Sequence, residues 1–241
     1  MKRLILISIF LLSLTVYGLE LPKVGAAEDT ASNPHQAEAP TYKGGSWIYR
    51  VSNKLYSGSR SDLLADGDYE LTFQEGKRRI FQLEGGQRSD ASNPRDLTLM
   101  LPVKGIIEGE TKYFQFPLMV GRKWTAKYYS KPASRWITAE NSVTGIETVT
   151  TPAGTFPAFK IERQVSIAMG TVFVGTTHVQ WTYSYFYSPQ TRSLLKYQFK
   201  SEQAAGGGGN LAPLQTTDIE LIKFDAAGPK QSKVDAKDGS Q

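Results

Sequence analysis

The feature that most constrains this chain is a side-chain period of two. Tyr69, Leu71 and Phe73 alternate with Glu70, Thr72 and Gln74. Phe81 and Leu83 alternate with Gln82 and Glu84. Phe159, Ile161, Val165, Ile167 and Met169 share one parity, broken only by Arg163, while Lys160, Glu162, Gln164 and Ser166 take the other. Leu195, Tyr197 and Phe199 oppose Lys196, Gln198 and Lys200. Successive side chains of a strand point to opposite faces, so each segment has one apolar and one wetted face. Such one-sided strands belong to antiparallel sheets, since parallel strands tend to be apolar on both sides.

Turn residues fall between these runs. Glu75-Gly76 separates two alternating segments and reads as a hairpin, as does Pro152-Ala153-Gly154. Asp66-Gly67, Gly85-Gly86, Gly170 and Ser188-Pro189-Gln190 punctuate the rest, and Gly206–Gly209 reads as a loop, because four glycines lose too much backbone entropy to form a strand interior. A last strand spans 218–224. Apart from one helical turn over Arg60–Ala65, no amphipathic helix is expected. The fold class is therefore all-β: a single antiparallel, strongly curved sheet or partly open β-barrel of about ten strands with meander connections. Arg163 among the apolar side chains, and a polar C-terminal tail, do not suit the lipid-facing band of an outer-membrane barrel.

The ends read differently. Lys2 and Arg3 precede an apolar run, Leu4–Val16, and small residues follow at Gly25-Ala26-Ala27. This is the pattern of a cleaved signal peptide over residues 1–27. Glu20, Pro22 and Lys23 interrupt the run too early for a spanning helix, so no transmembrane segment is expected after cleavage. Residues 28–42 read as a disordered leader, 43–225 as one antiparallel β domain and 226–241 as a disordered tail. The expected location is export to the periplasm or secretion.

The chain has no cysteine. Disulfides, thiolate chemistry and an acyl anchor on cysteine are all excluded. Cleavage after Ala27 removes Lys2, Arg3, Lys23 and Glu20 and takes the net charge from +5 to +3. That is too mild to point to nucleic acid, and the one tight basic cluster, Lys77-Arg78-Arg79, reads as a solvated hairpin tip.

No constellation of reactive residues stands out. His35 falls in the leader, and His178 has the polar parity of its strand. Asp62, Asp66 and Asp68 lack the spacing of a calcium loop and read as a capped turn. Glu108 and Glu110 flank Gly109 in what reads as a hairpin tip, and would serve a glycosidase only if the fold set their separation. No catalytic residue, cofactor or metal ligand is assigned. Aromatic residues are the notable feature instead. Trp181, Tyr183 and Tyr185 share one strand face, and Trp124 and Tyr128 lie upstream. Aromatics of this kind build cores. They also line amphipathic grooves, where hydroxyl and indole N–H groups orient a ligand.

The stretch from Gly145 to Lys160, G-I-E-T-V-T-T-P-A-G-T-F-P-A-F-K, is similar to a hairpin of a family of exported bacterial all-β domains of unknown function. Tyr185-Phe186-Tyr187-Ser188-Pro189, the strand Leu194–Lys200 and Gly121-Arg122-Lys123-Trp124 extend the resemblance over roughly residues 120–200. Its motifs are structural, with Gly154 and Pro189 at turns and Phe156 and Trp124 packing, and it implies no activity. At the level of fold the family resembles, distantly, the curved sheets of periplasmic lipid carriers. Three functions are expected in decreasing order. The first is a non-catalytic envelope protein holding a lipid or other apolar molecule on Trp124, Tyr128, Trp181, Tyr183 and Tyr185. The second is a structural module binding another envelope protein, and the third a carboxylate-based hydrolase.

Overall fold

Alternating segments fold as strands because each can bury one row of side chains while water solvates the other. A computed structural model describes residues 35–56, 65–91, 96–130, 134–171, 175–205 and 210–226. The strands are β1 (Gln36–Ala37), β2 (Gly44–Leu55), β3 (Gly67–Gln74), β4 (Lys77–Glu84), β5 (Gln87–Asp90), β6 (Leu118–Met119), β7 (Lys123–Ser130), β8 (Arg135–Thr151), β9 (Gly154–Thr171), β10 (Gly175–Ser188), β11 (Ser193–Ala205) and β12 (Asn210–Asp225). β1 and β6 form a small pair, and the rest form one ten-stranded antiparallel sheet in the order β5-β4-β3-β2-β12-β11-β10-β9-β8-β7. The sheet is curved but not closed, with β5 and β7 as its two edges. The fold class read from the alternation therefore holds, as the open curved sheet and not as a closed barrel.

The order consists of two meanders, β2–β5 and β7–β12, joined by pairing of β2 with β12. This seam is long, running from Gln215↔Leu55 to Asp225↔Ser46. The β3–β4 hairpin turns at Glu75 and Gly76, both at positive φ, which the tight turn needs and which glycine adopts without strain. At Gly45 the constraint is space, because an added Cβ would lie 2.3 Å from the Trp47 ring.

The meander is interrupted once, and the interruption determines the core. Residues 96–122 cross the inner face and lead into edge strand β7. This crossing segment carries a 3-10 turn, Leu97–Leu99, and one short helix, α1 (Lys104–Glu108). Leu97, Leu99, Met100, Leu101, Phe114 and Leu118 are all buried in one cluster with Trp47, Tyr49, Leu71, Tyr185, Tyr187, Tyr197 and Ile219. The crossing segment is thus the second layer that a one-sided sheet requires. Backbone polarity is met where it docks: Leu194 N–H donates to the Met100 carbonyl at 2.9 Å, and the Arg78 guanidinium donates to the Thr98 carbonyl at 2.6 Å.

Two sequence readings are corrected here, those of Glu108 and Arg78. The first described strand, β1, lies within the stretch 28–42. Ala37 is buried in β1, and Tyr42 packs edge-on against Trp47 and donates to the Arg192 carbonyl at 2.6 Å. One strand residue and one aromatic suffice to dock a segment too short to show a period. Glu108 ends helix α1 instead of a hairpin tip, with Lys104 3.8 Å away one turn earlier. Arg78 is turned inward onto the crossing segment and is not a solvated tip residue. The signal peptide, residues 60–64 of the expected helical turn, the loop 206–209 and the tail beyond Ala226 lie outside the described residues.

Candidate functional site

Cross-strand register sorts the inner face into rows. One row runs Val143, Ile161, Tyr185, Tyr197, Ile219, Val51 across β8, β9, β10, β11, β12 and β2. Every member is buried. The next row runs Trp124, Asn141, Arg163, Tyr183, Phe199, Thr217, Asn53. It mixes aromatic with polar groups. The third begins Ala126, Ala139, Val165, Trp181, Ser201. The first row belongs to the core under the crossing segment. The third belongs to a second apolar cluster of Ala126, Tyr128, Ile137, Ala139, Val165 and Ile167, with Trp181 and Tyr183 packed partly buried at its side. The middle row is the border between the two clusters.

The five aromatic candidates therefore do not form one surface. Tyr185 is fully buried, with Phe114 of the crossing segment 5.4 Å away in edge contact, and Phe116 meets Tyr187 at 5.4 Å. Trp124 is 8% exposed and its indole N–H donates to the Lys112 carbonyl at 2.8 Å. Tyr128 is 6% exposed, inside the second cluster. Trp181 and Tyr183 alone of the five keep part of their surface accessible. Tyr183 links the clusters, stacked parallel to Tyr185 at 6.1 Å and tilted on Phe199 at 4.9 Å.

Arg163 lies at the centre of the border row and is 1% exposed. Its Nη1 donates to the Thr111 carbonyl at 3.0 Å and to Asn141 Oδ1 at 3.3 Å. The guanidinium carbon sits 4.5 Å from the Tyr113 ring centre and 5.6 Å from that of Tyr128. Its Nη2 has no hydrogen-bond partner, nor has the buried hydroxyl of Tyr185. Burial pushes the Tyr185 phenol well above its ordinary pKa while the charge of Arg163 pulls it back. Burial also raises Tyr197, reinforced by the carboxylate of Asp96.

Arg163 and Asn141 were missed as candidates, although Arg163 was visible as the lone charge in an apolar parity. Tyr113 had no such signal, because it meets the sheet only through the path of the crossing segment. Two hollows lie on the outer face. One of about 320 Å³ is lined by Lys123, Thr125, Glu140, Ser142, Glu162 and Gln164 with Trp124 and Asn141. Another of about 150 Å³ includes Arg50, Lys196, Gln198, Asp218 and Glu220. His178 is exposed. Among the described residues no group of acids and histidines is arranged to hold a metal ion, and no helix is long and apolar enough to cross a membrane.

A family model described as DUF3108-like matches residues 125–184, a segment within the stretch that carries the sequence resemblance and spanning β7 to β10. No curated protein matches the chain. Among solved structures, a proposed lipoprotein from Parabacteroides distasonis ATCC 8503 is 13% identical, with a TM-score of 0.32 over 78% of this chain and 99% of that one. A proposed exported protein with a YmcC-like fold from Bacteroides fragilis NCTC 9343 is 14% identical, with a TM-score of 0.32 over 79% and 99%. The hypothetical lipoprotein YmcC from Escherichia coli K12 is 14% identical, with a TM-score of 0.27 over 80% and 93%. The chain is thus similar over β7–β10 to DUF3108-like proteins, and that segment is the one that contains Arg163, Trp181 and Tyr183.

Proposed function

We propose that this chain is a non-catalytic exported envelope protein that holds a hydrophobic or amphipathic molecule on the inner face of its sheet, at the β7–β10 end. The observation that carries this reading is the division of the inner face. The crossing segment packs over the rows of Tyr185 and Tyr187. The second cluster contains sheet residues only, with Trp181 and Tyr183 half-buried beside it. Aromatic surface beside an apolar cluster is what an amphipathic ligand contacts. Export is supported by the basic start and apolar run of residues 2–16.

Native mass spectrometry of protein isolated from the envelope without detergent, followed by solvent extraction, tests this reading. A near-stoichiometric apolar adduct is expected. A bare mass, together with no uptake of added lipid, would contradict it. A second reading, an interaction module of the envelope, draws on one observation: Trp136 is 65% exposed at edge strand β7's hairpin partner and meets the half-exposed Tyr129 at 5.8 Å. Envelope proteins recovered by crosslinking through Trp136, with no adduct, would favour it.

A further inference from the structure

Among the described residues, Arg163 is the one charged side chain in the buried set. An arginine guanidinium keeps its charge wherever it is buried, and an isolated charge in a protein interior is strongly unfavourable unless paired. Among the described residues no carboxylate forms an ion pair with it. The Asp96 carboxylate bears on Tyr185 and Tyr197. Two ring faces, one carbonyl and one amide oxygen meet part of what the cation needs, and Nη2 is left over.

The row beside Arg163 presents phenols. Tyr185 lies one row over on the neighbouring strand, with Tyr197 directly opposite it on β11. The Tyr185 hydroxyl is buried without a partner, whereas the Asp96 carboxylate serves that of Tyr197. Nη2 and the Tyr185 hydroxyl, on adjacent rows, both lack an acceptor, and a negatively charged one suits the guanidinium best because its fork matches a carboxylate or phosphate edge. On the other side, Val165, Ile167 and Trp181 continue the inner face away from Arg163.

Resting on the reading of an amphiphile-binding sheet, we propose that Arg163 is its anion receptor, and that the molecule held is an amphiphile with a compact oxyanion head. The carboxylate or phosphate head sits at Nη2 and the Tyr185 hydroxyl. The tail lies along the half-buried Trp181 and Tyr183 beside the cluster of Val165 and Ile167. Arg163 also fastens the crossing segment at Thr111, so seating the head draws on the same guanidinium that pins the cover of the core.

Three probes with one tail separate the possibilities: hexadecanoate, hexadecyl phosphate and hexadecanol, titrated below their aggregation limits into the full chain stripped of bound lipid, with tryptophan fluorescence as the readout. At least one anion is expected to bind about tenfold or more tighter than the alcohol, the gain of a charge-assisted hydrogen bond. Whether hexadecanoate or hexadecyl phosphate leads identifies the head. Arg163→Met is expected to abolish the preference while hexadecanol binding stays. Tyr185→Phe, which keeps the packing, is expected to reduce it severalfold. Equal affinity for all three probes in the unaltered chain would overturn the anion receptor and leave the amphiphile reading standing, with Arg163 then a clamp for the crossing segment alone. Binding of none would overturn both. The comparison in the unaltered chain decides the matter even where Arg163→Met fails to fold.

Discussion

Buried tyrosines give this domain its sharpest residue-scale behaviour. Tyr42, Tyr49, Tyr185, Tyr187 and Tyr197 all have pKa values raised by burial. In the unfolded chain these phenols ionise near pH 10, while in the fold they stay protonated, so the folded state binds more protons above that pH. Their contribution is complete below about pH 10 and is lost as pH rises beyond it. Denaturant titrations at stepped pH are expected to show a steep fall in stability between about pH 10 and 12, with little change from the same groups between 6 and 9. The hydroxyls themselves add little. Tyr185 buries its own without a partner, so Tyr185→Phe is expected to leave stability unchanged or to raise it by up to about 1 kcal/mol, measured by chemical denaturation. A loss of more than about 2 kcal/mol would mean that an ordered water completes this group.

At the scale of elements, the crossing segment does the work that a second sheet does in a sandwich. Phe114 is buried, reaches Tyr185 and lies on no strand. Phe114→Ala is expected to cost about 3–5 kcal/mol, a core-sized loss from a loop residue, read by thermal or urea unfolding. A loss of under about 1 kcal/mol would mean the segment rests on the sheet without forming its core. The strands were legible in the sequence because a period of two is written in consecutive residues: Tyr69–Phe73, Phe159–Ile167 and Leu195–Phe199 are strands with the expected faces. What covers a face was not legible. Trp124, Tyr128, Trp181, Tyr183 and Tyr185 all share the inner parity, yet their exposure differs with row. Row depends on the register of strands far apart in sequence and on the path of residues 96–122. Only the crossing segment separates Tyr185 from Trp181, and its residues Leu97–Leu118 carry no regular period to announce that role. Arg163 was visible as an exception to a pattern. Its ring partners were not, since Tyr113 reaches it from 50 residues away in sequence.

For the whole molecule, the decisive contact is the pairing of the first long strand with the last. Without β2·β12 the sheet would be two separate meanders with four edges in place of two. Ile219 and Leu221 are buried at this seam and face Val51 and Tyr49. Ile219→Ala is expected to cost about 2–5 kcal/mol and to lower hydrogen-exchange protection together in β3 and β9, on opposite sides of the seam. Protection lost in one half only would show that the meanders are separate folding units. The same layout explains the functional division. The crossing segment covers the inner face as far as the border row of Trp124 and Arg163, and the long strands β8–β11 continue beyond it to the second cluster.

The most direct test of that division compares Tyr185→Ala with Trp181→Ala, two aromatics on one face of one strand, for unfolding free energy and for hexadecanoate affinity in the same preparations. Tyr185→Ala is expected to lose about 3–5 kcal/mol of stability, and Trp181→Ala under about 2 kcal/mol together with about a tenfold loss of affinity. A Trp181→Ala variant as destabilised as Tyr185→Ala, with affinity intact, would contradict the account: the whole aromatic stripe would then be core, and the inner face would hold nothing but the protein itself.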